Sequence, residues 1–330
     1  LSPKESRAVY KKTMFDMRQY KRLQMFVHAE AMLDPAASAQ QLRDHELTAF
    51  VRLGSDMVYN YYEYEIPLIL TPEGTYSNNN LADRQQVWHP ENMFDFPFTV
   101  LTDAKLERNK ERQKTNLSNS TPFVKYDPAK PKNIVTVVGN PSISDVENIM
   151  IGIRNKSGEV KSGEIWVNEM RMSEFDEDGG WAALANMAVN LSDLGSVNVA
   201  GRIETAGFGG IESNVTNRNM SDFHQLNLSA ALDLGRFLPE QAKLQIPAFF
   251  TYTNETNSPK YNPLDEDILL KDALNNLESM VEKDSLKSMT QSVIETRSFN
   301  ITNAKINIRS KKPMFYDPAN VTFTYSVNES

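Results

Sequence analysis

The feature that most constrains the fold is a two-residue alternation that recurs through the second half of the chain. Trp181, Ala183, Ala185, Met187, Val189 and Leu191 occupy every other position, and Asn186, Asn190 and Ser192 fall between them. A helix would scatter these apolar side chains around its surface, whereas a strand places them all on one side. Val197, Val199 and Ile203 alternate in the same way with Ser196, Asn198, Arg202 and Glu204. So do Leu226, Leu228, Ala230, Leu232 and Leu234 with Gln225, Asn227, Ser229 and Asp233, and Leu244, Ile246, Ala248, Phe250 and Tyr252 with Lys243, Gln245, Thr251 and Thr253. Val321, Phe323, Tyr325 and Val327 alternate with Thr322, Thr324, Ser326 and Asn328. A sixth run, Ser298 to Ile308, changes phase near Thr302–Asn303, as a β-bulge would make it do.

Each run has roughly the 9–11 residues that a tilted strand needs to cross a bilayer. The connections alternate in length: short near Ser192–Gly195, Gly235–Gln241 and Arg309–Ala319, long at Gly207–Ser221 and Glu255–Gln291. Short turns on one side and long loops on the other fit an outer-membrane β-barrel, with Trp181, Phe208, Phe223, Phe237 and Phe315 as candidate girdle residues. A soluble antiparallel sheet with one wet face produces the same alternation, so both readings stand at this point. Six strands fall short of the roughly eight that close the smallest bilayer barrel, so the barrel reading calls for further strands. In the second long loop, Ile268, Leu269, Leu274, Leu277 and Val281 recur at helical spacing and predict a helix near 267–282 with a core-packing stripe. The chain opens on Leu1 and stops just after a strand-like run, and is read as an internal piece of something longer.

The first half, residues 1–175, reads as a β-sandwich-like soluble domain. Short strands are expected around Leu23–Val27, Leu47–Leu53, Tyr59–Ile69, Ile134–Val138, Val146–Arg154 and Glu164–Met172, with turn signals between them. Thr99 to Lys114 is charged and free of Pro and Gly, which predicts a helical insert near 99–114; a polar linker, Thr115–Lys132, follows. The break to residues 176–330, about six antiparallel barrel strands, comes at Asp176-Glu177-Asp178-Gly179-Gly180. The fold class expected is thus mainly β: a β-sandwich-like domain followed by strands of a large barrel.

Composition narrows the function. Lys and Arg number 35 against 43 Asp and Glu, so no basic surplus exists to neutralise phosphates and nucleic acid is not an expected partner. The absence of Cys removes disulfides, thiolate metal sites and cysteine nucleophiles together. No apolar run approaches the 18 residues of a membrane-spanning helix. Thirty residues are Asn, some in N-x-S/T triplets such as Asn119, Asn214 and Asn254, a bias that reads as an Asn/Thr-rich β-protein rather than as glycosylation. His28, His45, His89 and His224 lack metal-ligand spacing, and no P-loop, G-x-S-x-G or G-x-G-x-x-G occurs. Gly207-Phe208-Gly209-Gly210 has no following helix to cradle a phosphate. The acidic triplets Asp176–Asp178 and Asp265–Asp267 could attract calcium, but read better as solvated loop charge. Tyr59, Tyr61, Tyr62 and Tyr64 suit either a packed strand with wet hydroxyl tips or sugar stacking. No catalytic, cofactor-binding or metal residue is assigned, and the chain is read as a non-enzyme.

Several segments, in this order, carry a resemblance. Asp16-Met17-Arg18-Gln19-Tyr20-Lys21-Arg22 leads into a strand ending at His28-Ala29-Glu30, followed by LTAFVRLGSDMVYNYYEYEIPL at Leu47–Leu68. Then come IGIRN at Ile151–Asn155, GEIWVNEMRMSEFDEDGGWAA at Gly163–Ala183, TAGFGGIE at Thr205–Glu212, YNPLDEDI at Tyr261–Ile268 and TRSFNITN at Thr296–Asn303. Together they resemble the SprA/Sov family, giant outer-membrane proteins of gliding motility and type IX secretion in Bacteroidetes. The resemblance implies an internal piece of a very large barrel that acts as a translocon and passes folded cargo to the cell surface. Its implied partners are secreted cargo proteins, other type IX components at a lateral opening and a periplasmic plug, and outer-membrane lipid. It implies no cofactor and no catalytic residue. If the short turns are periplasmic, residues 1–175 lie outside the cell. The competing readings are a surface carbohydrate-binding β-sandwich using Tyr61 and Tyr64, and a soluble structural protein.

Overall fold

A computed structural model describes residues 1–32, 41–115, 118–212, 218–308 and 314–330. Asn214 with the rest of 213–217, residues 309–313 of the connection 309–319, and residues 116–117 of the linker lie outside the described residues. The protein is mainly β and divides into two units, 1–177 with 264–276 and 178–263 with 277–330.

The first unit begins with β1 (Ser6–Phe15), β2 (Tyr20–Ala31), β3 (Leu47–Gly54) and β4 (Tyr61–Pro67). It continues with α1 (Leu81–Val87), β5 (Phe94–Pro97), α2 (Thr99–Lys114), β6 (Phe123–Tyr126), β7 (Ile134–Val138), β8 (Val146–Asn155) and β9 (Gly163–Phe175). Six strands form one sheet in the order β1-β8-β3-β4-β7-β6, and three form another in the order β5-β2-β9. The core lies between them: Leu23, Met25 and Val27 from β2 and Phe94 and Phe96 from β5 join Val51, Leu53, Tyr62 and Tyr64 from β3 and β4. This is the alternation read from the sequence, turned inward on both sheets. The exposed strand β1 and the short β6, inside the expected linker, carry too few apolar inward residues to be seen as strands beforehand.

In the second unit β10 (Ala182–Asn190), β11 (Gly195–Glu204), β12 (Ser221–Asp233), the two-residue β13 (Leu244–Gln245) and β14 (Pro247–Pro259) follow in order. The chain then passes through β15 (Tyr261–Asn262), β16 (Asp265–Leu269), α3 (Leu270–Asn276) and α4 (Met280–Thr290) before β17 (Ser292–Ile306) and β18 (Phe323–Glu329). The long strands pair as an antiparallel meander, β10-β11-β12-β14-β17-β18, that does not close on itself among the described residues. Pairing slips by one residue between Ile301 and Ala304 of β17 against β18, and Asn303 sits at φ 54°. That is the bulge behind the phase change near Thr302–Asn303. The turn into β11 needs Gly195: its φ is 143°, and a Cβ there would meet the Ala231 carbonyl oxygen at 2.0 Å.

The single helix expected near 267–282 is corrected by the structure. Ile268 and Leu269 lie in β16, and α3 and α4 are separate, with Ser279 as the N-cap of α4. The predicted stripe is split as well: Ile268 is buried, while Val281 is 78% exposed. A short strand that buries Ile268 broke the helical period.

Candidate functional site

The register of the second unit turns six alternating strands into one two-faced sheet. Met187 lies opposite Val199, and Val199 opposite Leu228. Leu228 lies opposite Tyr252, Ala230 opposite Phe250, Phe250 opposite Phe299, and Phe299 opposite Val327. Directly opposed residues share a face, so one side of the sheet is apolar from β10 to β18. Met187 (58% exposed), Leu226, Phe250, Phe299, Phe323 and Tyr325 all lie open on it.

The other face is polar. Asn186, Asn198, Arg202, Gln225 and Asn227, polar members of the alternating runs, are all brought to it by the same pairings. Thr251, Thr253, Ser298, Asn300, Ser326 and Asn328 continue it. Cross-strand hydrogen bonds tie it together: Ser298 Oγ donates to Asn328 Oδ1 at 2.6 Å, and Gln225 Nε2 to Glu255 Oε2 at 3.4 Å. Leu184, Phe223, Phe249 and Ile294 are apolar exceptions on this side.

The apolar face has a polar border at the end that carries the long connections. Asn254 there opposes Glu295 and Tyr252 opposes Arg297, whose guanidinium pairs with Glu295 and lies 5.8 Å from the Tyr252 ring centre. Trp181 lies exposed at this end, and Phe237 and Phe315 at the opposite one. Phe223 is not a girdle residue: it points to the polar face, under the Arg202 guanidinium 5.5 Å away. From Trp181 to Leu191 are ten residue steps, about 33 Å along the strand at ~3.3 Å each. Tilted by about 40°, that gives about 25 Å, the height of an outer-membrane apolar band.

The first unit holds a different feature, which the sequence reading missed. Lys105, on the buried side of α2, has a fully buried side chain. Its ammonium donates to Asp267 Oδ1 at 2.8 Å, to the Pro141 carbonyl at 2.7 Å and to Asp265. Asp267 is equally buried and accepts from the Tyr62 hydroxyl at 2.6 Å and the Ile143 amide at 3.2 Å. Glu266 accepts from Ser144 Oγ at 2.9 Å. Burial pushes the Asp265 carboxyl above its ordinary pKa against the pull of Lys105, and burial beside Asp267 pushes the Tyr62 phenol well up. Asp265 and Asp267 are therefore not solvated loop charge but the largely buried ion-pair partners of Lys105, while Glu266 between them stays exposed. Of the other triplet, Asp176 sits 3.4 Å from Lys21. Among the described residues, no group of three or more His, Asp or Glu is placed to hold a metal ion.

In the tyrosine stretch the packed-strand reading holds for Tyr62 and Tyr64 and only their wet hydroxyl tips are corrected, while Tyr59 is 69% exposed. Tyr62 and Tyr64 are each 1% exposed, and the Tyr64 hydroxyl bonds Asp127 rather than water. Tyr64 also stacks on Phe96 with centroids 3.9 Å apart, so it has no free face for a sugar ring. His28 is buried in a structural role: its Nδ1 donates to the Val87 carbonyl at 2.8 Å. Beside it opens a cleft of about 630 Å³ bordered by Glu30, Glu73, Tyr76 and Trp166.

No helix among the described residues is long and apolar enough to cross a membrane, which leaves strands untouched as a means of crossing. Compared with known proteins, residues 1–274 match the family described as motility related/secretion protein. A search of curated proteins returns no match.

Proposed function

The chain belongs to the SprA family of motility-related secretion proteins, and from that premise we propose that its second unit is a stretch of the wall of an outer-membrane, protein-conducting β-barrel of type IX secretion. The observation that carries this reading is the shared register, which gathers the apolar side chains of β10, β11, β12, β14, β17 and β18 on one face and polar ones on the other. The apolar face then meets lipid and the polar face a water-filled lumen through which folded cargo passes to the cell surface. Unpaired backbone groups cannot stay in hydrocarbon, so β10 and β18 pair with further strands of the same barrel. Cargo proteins, components at a lateral opening and a periplasmic plug, and outer-membrane lipid are the partners this reading entails. The chain itself performs no catalysis in it, and the energy for transport comes from elsewhere. Residues 1–175 form a β-sandwich-like soluble domain outside the cell, an assignment that follows if the short turns face the periplasm.

Single cysteines test the sense of crossing, and the chain has no Cys of its own to confuse them. In the parent protein in intact cells, with any other thiols removed, Ser258→Cys lies at a long-connection end and Asp193→Cys in a short turn. The expected result with a membrane-impermeant maleimide is labelling of Ser258→Cys outside, and of Asp193→Cys only after lysis. The reverse pattern keeps the barrel and moves residues 1–175 to the periplasm. Equal labelling of both sites in intact cells rejects the barrel.

A further inference from the structure

The chain leaves the second unit at Leu264 and returns to it at Leu277, and the intervening residues fold into the first unit. The residues that grip this segment come from widely separated parts of that unit: Lys105 from α2, Tyr62 from β4, and Ile143 and Ser144 from the loop before β8. Asn276 adds a bond to the Leu106 carbonyl at 3.3 Å. The grip is specific in chemistry. One buried cation, one phenol hydroxyl, one backbone amide and one serine hydroxyl are all donors, and they meet three successive acidic side chains. Ile268 and Leu270, 2% and 3% exposed, follow as apolar anchors.

We propose that the Lys105–Tyr62–Ile143–Ser144 cluster is a recognition site for an acidic Asp-Glu-Asp segment. It is occupied by residues 265–267 of this chain and clasps the connection between β14 and β17 to the first unit. The site is independent of the channel reading, since it rests only on contacts inside the first unit. Without the clasp, residues 264–276 lose the side-chain bonds that hold them in the first unit. With it, only the flanks 260–263 and 277–291 remain outside the first unit. A buried lysine stripped of both carboxylates would be an unpaired charge in a dry environment, so the contact is not one that exchanges easily with water.

The test uses the full chain in detergent, with protease sites inserted after Pro263 and after Asn276. After cleavage, the expected result is that the 264–276 peptide stays with the protein through gel filtration. Lys105→Met and Asp267→Asn should release it, and Asp265→Asn, which removes one of the two carboxylates on Lys105, should release it at least about tenfold faster than the unaltered site. Circular dichroism and tryptophan fluorescence of the uncleaved variants show whether each has folded. If Lys105→Met does not fold, Asp265→Asn and Ser144→Ala carry the test. Loss of the peptide from the unaltered chain, or equal retention by it and the folded variants, would overturn the proposal.

Discussion

Arg22 and Asp95 pair across β2 and β5, and Gln24 adds a bond to the same carboxylate oxygen at 3.1 Å. Burial pushes the Asp95 pKa up, but the hydrogen bonds from Arg22 and Gln24 outweigh it and hold the group below its ordinary value. A depressed folded-state pKa means that this stabilisation is complete above the unfolded value near ~3.9 and is lost as pH falls through the lower folded one. Urea unfolding of the chain below about pH 4 should therefore show a shallower loss of stability in Asp95→Asn than in the unaltered protein. Parallel acid slopes would count against it. Lys105 and Arg108 show why residues of this kind escape a sequence reading. They lie on the buried side of α2 with Leu101 and Ala104, yet charge ordinarily marks the wet side of a helix. The carboxylates that make the burial of Lys105 tolerable stand 160 and 162 positions away. No local window contains both halves of such a pair.

At the scale of the element, the proposed channel-wall reading makes opposite predictions for adjacent residues. Leu228 stands mid-strand on the apolar face and Asn227 beside it on the polar one. Leu228→Arg should cost about 2–4 kcal/mol of barrel stability, and Asn227→Arg close to none. Heat-modifiable migration of the parent barrel measures both, and equal tolerance of the two would contradict a lipid-facing assignment. The bulge in β17 gives a second prediction. Asn303 holds a left-handed backbone, φ 54°, where a β-branched residue is strained. Asn303→Val should lower the unfolding temperature in detergent, by about 1–2 kcal/mol in free energy, while Asn303→Gly should leave it unchanged. The phase change was readable in the sequence because an extra residue shifts the alternation itself. The split of the 267–282 segment into β16, α3 and α4 was not, because the five residues of the apolar stripe fit either element until Ile268 finds its core.

For the whole molecule, the exposed apolar face of the second unit and the edge strands β10 and β18 that flank it are the decisive features. In detergent-free buffer the 330-residue chain should self-associate, and detergent should render it monodisperse. Light scattering distinguishes the outcomes, and a monodisperse chain in plain buffer would favour an ordinary soluble sheet. Strand identity was legible in most of the chain, since Leu47–Gly54, Ile134–Val138 and Ala182–Asn190 appear where the alternation put them.

What the sequence by itself determined is the two-sidedness of each strand. Side chains alternate along an extended backbone whatever lies beside it, so the polar and apolar sides of β10, β12 or β14 follow from spacing alone. Only the tertiary structure decided that these sides agree from strand to strand. A slip of one residue at any pairing would have turned a strand's apolar set to the polar face, and the register is set by the facing strand and the geometry of each connection, not by the spacing within one strand. The same holds for the clasp: burial of Lys105, Asp267 and Tyr62 is a property of the space they share, and that space exists only once residues 62, 105 and 267 meet.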